Sequence, residues 1–358
     1  MKRIFGALAA LLLLFGAFVT VSADTESARD LAVIKLGSAG EGSTVNYFVL
    51  RTVMGYCDED GVCKGELFDG VVFEESQKTN TPEKAEVFID ELTLKGGALA
   101  SAEQAARELE ENGYLEKGQR YPVYVSFPNA TDFFETEEEI KEFCAYFIDT
   151  LVFAFEFQEY EDICLKGMYF GDGYDENEKL RSFCISLAKE KGLECVAVTA
   201  EGHPIEADKV YASNKQFEDR FGAVEHGGVV LPLDGVPTDE DNSSVKKLLE
   251  NAIEFSEFDG SAPLLFTFEA FNNLYDCAIA TAQDFPNENG RLAYDCVKDC
   301  LKRDFEGLRS VYKELKSADN SASEDNLPLN IIFSTALCAA GAGAISYILI
   351  RKAKRNGK

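Results

Sequence analysis

Eight short apolar runs, capped helical stretches between many of them, and one uncharged 20-residue stretch near the C-terminus predict an α/β protein. The expected architecture is an irregular (β/α)8 TIM-like barrel followed by a single C-terminal transmembrane helix. The runs lie at residues 31–36, 68–73, 121–126, 165–170, 195–198, 209–212, 228–233 and 264–268. Each is too short for a helix and suits a strand buried on both faces.

At the N-terminus, Met1-Lys2-Arg3 precedes an apolar run over 4–19, and Val21-Ser22-Ala23 supplies small residues for cleavage, so 1–23 reads as a secretory signal peptide. The ectodomain is then 24–316. Its helices have legible starts. Ser101 with Gln104, Thr136 with Glu139 and Asp175 with Glu178 each show the spacing at which a cap side chain and an acid or amide three residues on satisfy orphan backbone donors reciprocally. Leu180, Phe183, Cys184, Leu187 and Ala188 recur at helical spacing, with Gly192 placed to end that helix in a left-handed cap. Val245, Leu248, Leu249, Ala252 and Ile253 repeat the pattern. About ten residues separate the fifth and sixth runs, which leaves no room for an ordinary crossover helix and makes the barrel irregular there. A long helical region is expected over 289–315, and 317–330 reads as a polar tether.

The stretch 331–350 carries no charge and, as a helix, matches the bilayer core of about 30 Å. Arg351, Lys352, Lys354, Arg355 and Lys358 follow it, so 351–358 is the expected cytoplasmic tail and the barrel lies outside the cell membrane. Leu327-Pro328-Leu329-Asn330 lacks the Thr-Gly of a wall-sorting motif, which favours a retained single-pass anchor.

The formal charge is −28, from 35 basic and 63 acidic residues; seven of the basic ones lie in the signal and tail, so the ectodomain carries −35. Such a field repels nucleic acid and excludes it as a partner. Nine of the ten cysteines lie outside the anchor, so at least one there has no intramolecular partner. Cys57 and Cys63 flank Asp58-Glu59-Asp60-Gly61, a turn that a disulfide can close, whereas Cys144, Cys184 and Cys195 sit on apolar faces as small core residues. With only His203 and His226 and no clustered cysteines, no metal site is expected. No Walker loop or dinucleotide fingerprint occurs, and no cofactor is expected.

Several segments resemble the DUF4855 family, a bacterial family of unknown function related to glycoside-hydrolase-like barrels. Glu66-Leu67-Phe68-Asp69-Gly70-Val71-Val72-Phe73 is similar to an early strand of that family, Gly167-Met168-Tyr169-Phe170 to a later one, and Ala207-Asp208-Lys209-Val210-Tyr211 through Asn214 to a third segment. The resemblance covers most of 30–235 and implies the barrel fold. The chain departs where the family places acidic residues: it has Gly171-Asp172-Gly173 after one strand and Leu231-Pro232-Leu233-Asp234 on another.

In such a barrel the functional side chains project from the C-terminal ends of the strands. Glu74 and Glu75 follow the second run, Asp172 the fourth, Glu201 and His203 the fifth, Asn214 the sixth, Asp234 the seventh and Glu269 the eighth. Glycoside hydrolysis needs two carboxylates, about 5 to 5.5 Å apart for retention or about 6.5 to 9.5 Å for inversion. Glu74 and Asp172 are the candidate catalytic pair. Glu75, Tyr169, Glu201, His203, Asn214, Asp234 and Glu269 are candidate ligand-binding residues. The sequence thus points to a surface barrel that cleaves or binds extracellular carbohydrate, with a non-catalytic scaffold for a glycan or surface protein as the alternative.

Overall fold

The computed structural model describes residues 28–36, 45–58, 60–75, 82–93, 96–128, 136–171, 178–199, 207–213, 227–233, 240, 242–268 and 288–322. The elements are β1 (Leu31–Leu36), α1 (Tyr47–Met54), β2 (Gly55–Cys57), β3 (Cys63–Glu66), β4 (Gly70–Glu75), α2 (Pro82–Thr93), α3 (Ala98–Glu111), β5 (Tyr121–Ser126), α4 (Glu137–Gln158), β6 (Ile163–Phe170), α5 (Glu178–Glu190), β7 (Glu194–Thr199), β8 (Lys209–Ser213), β9 (Gly227–Leu233), α6 (Ser243–Asp259), β10 (Leu264–Phe268), α7 (Glu288–Leu301) and α8 (Phe305–Ala322).

All eight expected runs become strands of one closed barrel, every neighbouring pair parallel, with β1 meeting both β4 and β10. The strands alternate their side chains between two apolar clusters. Leu31, Val33, Val72, Tyr124, Tyr169, Val196, Val198, Tyr211, Val230 and Leu265 fill the interior. Ile34, Phe73, Val123, Met168, Leu231 and Phe266 meet the helices outside. The interior is therefore a packed core, as barrels of this size require. Gly228 lets the Tyr211 ring enter: a Cβ there would stand 2.4 Å from the ring.

The second strand starts at Gly70, not at residue 68. Phe68 is instead fully buried against Phe266 beneath the barrel wall, at 5.6 Å between ring centres. Glu74 and Glu75 consequently lie within the strand, paired with Lys35 and Leu36 of β1. The stretch around Cys57 and Cys63 forms an antiparallel ribbon of β2 and β3, separate from the barrel. Its turn is held by Asp58, whose carboxylate accepts the N–H groups of Asp60 and Val62.

Of the expected helix starts, Thr136 and Glu139 form the reciprocal capping pair on α4. Ser101 does not cap: α3 begins a turn earlier behind Gly97, because Ala98 and Leu99 extend its buried stripe, and Ser101 lies inside the helix. Asp175 lies outside the described residues. Gly192 has the expected positive φ of 74° after α5. The region 289–315 is two helices, broken at Arg303, whose φ is 60°. Since α8 continues to Ala322, the first residues of the expected tether are helical.

Among the described residues no helix is long and apolar enough to cross a membrane. The signal 1–23, most of the tether, the stretch 331–350 and the tail 351–358 lie outside the described residues.

Candidate functional site

The mouth of the barrel, at the C-terminal ends of the strands, is built from strand alternation. Val33 and Val72 point inward, so Lys35 and Glu74, two residues further along, point inward one layer higher. Lys35 Nζ stands 3.8 Å from the Glu74 carboxylate, with side-chain exposures of 39% and 22%. Both groups thus reach solvent at the rim. A pair this exposed contributes about 1 kcal/mol or less to stability.

Gly171 continues the inward row of β6 beyond Tyr169. A Cβ at 171 would lie 2.8 Å from Glu74 Oε1 and 3.1 Å from the Tyr169 ring. Glycine at this position therefore creates the space in which the carboxylate sits over the tyrosine. Tyr169 itself is 3% exposed and caps the interior cluster, so it forms the floor of the mouth and offers a ligand little beyond its upper edge. Ser126, also on an inward row, is buried beside it on β5 and accepts the Glu75 N–H at 3.4 Å.

Glu75 alternates to the outer face of the strand with Phe73, whereas Glu74 faces the interior row. Asp172, Glu201, His203, Asn214, Asp234 and Glu269 lie outside the described residues. Of the two acids of the expected pair, Glu74 is the one among the described residues, at the mouth beside Lys35. Two neighbouring aromatic residues are structural: Phe170 stacks on Phe127 outside the barrel, and Tyr211 lies at its opposite end with its hydroxyl on the Arg29 carbonyl at 2.7 Å.

That opposite end holds a polar network that sequence reasoning missed. Glu194 accepts a hydrogen bond from Tyr124 at 2.9 Å and pairs with Lys166 and Lys209 at 3.4 and 3.6 Å. Burial lowers the Lys209 pKa in spite of Glu194, and its ammonium also donates to the Ala28 carbonyl. A shallow pocket of about 250 Å³ opens here between Arg29, Lys209 and Tyr211. It lies at the N-terminal end of the strands, whereas barrels of this kind carry their chemistry at the C-terminal end, so the mouth remains the better candidate. Nearby, Asp69 accepts the N–H groups of Arg29 and Asp30. Asp30 in turn accepts the Leu264 N–H at 2.8 Å and two hydrogen bonds from Arg303 at 3.1 and 3.0 Å.

No family model and no curated protein matches the chain. Solved structures similar to it include a mutant tryptophan synthase alpha-subunit from Pyrococcus furiosus, at 10% identity and a TM-score of 0.36, covering 76% of this chain and 98% of that one. A type I 3-dehydroquinate dehydratase from Clostridium difficile matches at 10% identity and a TM-score of 0.29, covering 77% and 94%. The 3-dehydroquinate dehydratase from Enterococcus faecalis matches at 13% identity and a TM-score of 0.28, covering 79% and 98%. Likenesses this distant carry no activity to the present chain.

Four of the eight described cysteines lie in two pairs. Cys57 and Cys63 face each other across the ribbon as free, buried thiols. The hydrogen bond from Cys57 lowers the Cys63 pKa to about 7, while the same bond and burial push Cys57 up. Cys184 Sγ lies 3.6 Å from Cys144 Sγ across the α4–α5 contact. Both are free thiols buried in the core, as their apolar faces predict. Among the described residues no group of three or more His, Cys, Asp or Glu side chains is arranged to hold a metal.

Proposed function

We propose that the chain is an exported barrel, held at the cell membrane by its C-terminal apolar segment, that binds and hydrolyses extracellular carbohydrate at its mouth. Glu74 is its acid–base carboxylate and Asp172 the second. The observation that carries this reading is the inward-facing Lys35–Glu74 pair at the rim, with Gly171 clearing space over Tyr169. A carboxylate in that position can protonate or deprotonate a glycosidic or water oxygen, and Lys35 can orient it or hydrogen-bond a sugar hydroxyl. Divergent membership of the DUF4855 family belongs to the same proposal, on the segments quoted above.

The packed interior and the 3% exposure of Tyr169 favour a second reading, a shallow binding scaffold without turnover. Glycan binding and reducing-end release, measured side by side on the full chain in detergent, separate the two. Hydrolysis predicts release that falls at least about a hundredfold in Glu74→Gln, the usual scale for losing a general acid or base. Binding without release supports the scaffold, and neither binding nor release overturns both.

A further inference from the structure

The direction of the last helix determines which end of the barrel is tied to the membrane. The helix α6 leaves the mouth end of β9 and leads to the opposite end, where β10 begins. The helix α8 packs along it in the reverse sense. Phe305, at the start of α8, contacts Phe255 near the end of α6, with 5.7 Å between ring centres. One turn on, Arg309 bonds Ser256, and Tyr312 bonds Glu250, further back towards the start of α6. Arg303, just before α8, is fixed at the far end by Asp30 and the Ala262 carbonyl. The 18 residues of α8 therefore climb about 27 Å and finish level with the mouth.

Only residues 323–330 separate the end of α8 from the apolar stretch 331–350. Fully extended, these eight residues reach roughly 26–29 Å. Turning the barrel so that its opposite end met the bilayer would use that whole reach merely to run back along α8. With the mouth towards the membrane, none of that reach is needed to run back along α8.

We propose that the mouth faces the bilayer, and that its ligand is an uncharged glycan carried on a lipid of the same membrane. This rests on the membrane-anchor part of the function proposed above and adds the source of the substrate. The charge of the ectodomain supports an uncharged headgroup, because 28 basic residues against 63 acidic ones repel anionic headgroups that approach within a Debye length of about 8 Å. Eight residues can span more than that distance, so the barrel can stand off the bilayer while a headgroup of several sugars reaches Glu74.

The test is energy transfer from a single fluorophore to acceptor-labelled lipid in proteoliposomes of the full chain. One variant carries the dye at Glu138→Cys, exposed at the mouth end of α4, and the other at Lys117→Cys, exposed on the loop that enters β5 at the opposite end. The unsubstituted chain, labelled in parallel, supplies the background from its ten native cysteines, and that background is subtracted. The account expects several-fold stronger transfer from position 138 than from 117. Equal transfer, or stronger transfer from 117, overturns it, and the latter would bring the exposed Phe153–Phe157 pair to the bilayer instead. Absence of transfer from both overturns the anchor. Turnover by Glu74→Gln is a separate readout, so failure of the orientation and failure of the catalytic reading are distinguishable.

Discussion

Replacing Arg303 with methionine should destabilise the barrel more than any change at its mouth. In the native chain the guanidinium makes two hydrogen bonds to Asp30 and others to the carbonyls of Ala262, Cys300 and Leu301. It thereby joins the break between α7 and α8 to the segment that enters β1. Asp30 is 8% exposed, and burial raises its pKa in spite of the arginine. Without Arg303 the carboxylate keeps the Leu264 N–H as its one remaining partner in this network. Breaking a buried pair from one side costs about 3–5 kcal/mol. Because the Arg303 side chain is 21% exposed, the lower figure applies, a loss of about 3 kcal/mol or roughly a hundredfold in the folding equilibrium. Methionine keeps most of the aliphatic volume, so the loss reports the charge and not a cavity.

The assay is urea unfolding of the full chain in detergent, followed by far-UV circular dichroism, for Arg303→Met, Asp30→Asn and the double variant. The double variant should cost clearly less than the sum of the two singles, because it removes the stranded charge. Losses below about 1 kcal/mol in Arg303→Met, or strict additivity, would refute the reasoning. The pH dependence has a definite sign. A raised Asp30 pKa means that its contribution to stability is fully present below 3.8 and is lost as pH rises through the higher folded value. Removing Arg303 should shift that loss to still higher pH.

Three further outcomes are expected. Gly171→Ala places a methyl 2.8 Å from Glu74 Oε1, the end of a movable side chain, so ligand affinity or turnover should fall about tenfold or more while the unfolding midpoint moves little; unchanged turnover contradicts the proposed site. Burial pushes the Glu108 pKa up, but hydrogen bonds from Arg51 and Tyr47 outweigh it and hold the group below 4.5. Its stabilisation is present above pH 4.5 and lost as pH falls through the lower folded value, so an acid titration should show a shallower loss in Glu108→Gln than in the native chain. Exposure to glutathione disulfide should link Cys57 to Cys63 and Cys144 to Cys184, and peptide mapping without reduction should recover both pairs. The second link, across a separation of 40 residues, should add about 4 kcal/mol of stability that reductant removes. Recovery of all four as alkylated thiols contradicts this.

The barrel was legible because every strand is a short apolar run bounded by polar or glycine-rich sequence, and burial on both faces leaves a parallel strand no other composition. The position of Glu74 at a strand end was legible for the same reason, and the sequence alone placed Glu75 beside it. The pairing of Lys35 with Glu74 settled which acid points inward, and it depends on the register between two strands nearly 40 residues apart. Ser101 shows the limit of a local signal: its spacing to Gln104 is that of a cap, but the apolar Ala98 and Leu99 upstream extend the helix past it. Contacts such as Arg303 to Asp30 and Cys144 to Cys184 join residues 273 and 40 positions apart, and no local pattern records them.

The most direct test of the account is a crystal structure of the protein with a glycan that it binds. Electron density for the sugar at the barrel mouth, with a hydroxyl or glycosidic oxygen within about 3.2 Å of the Glu74 carboxylate, is the expected result. Density at the opposite end, in the pocket beside Lys209 and Tyr211, would contradict it.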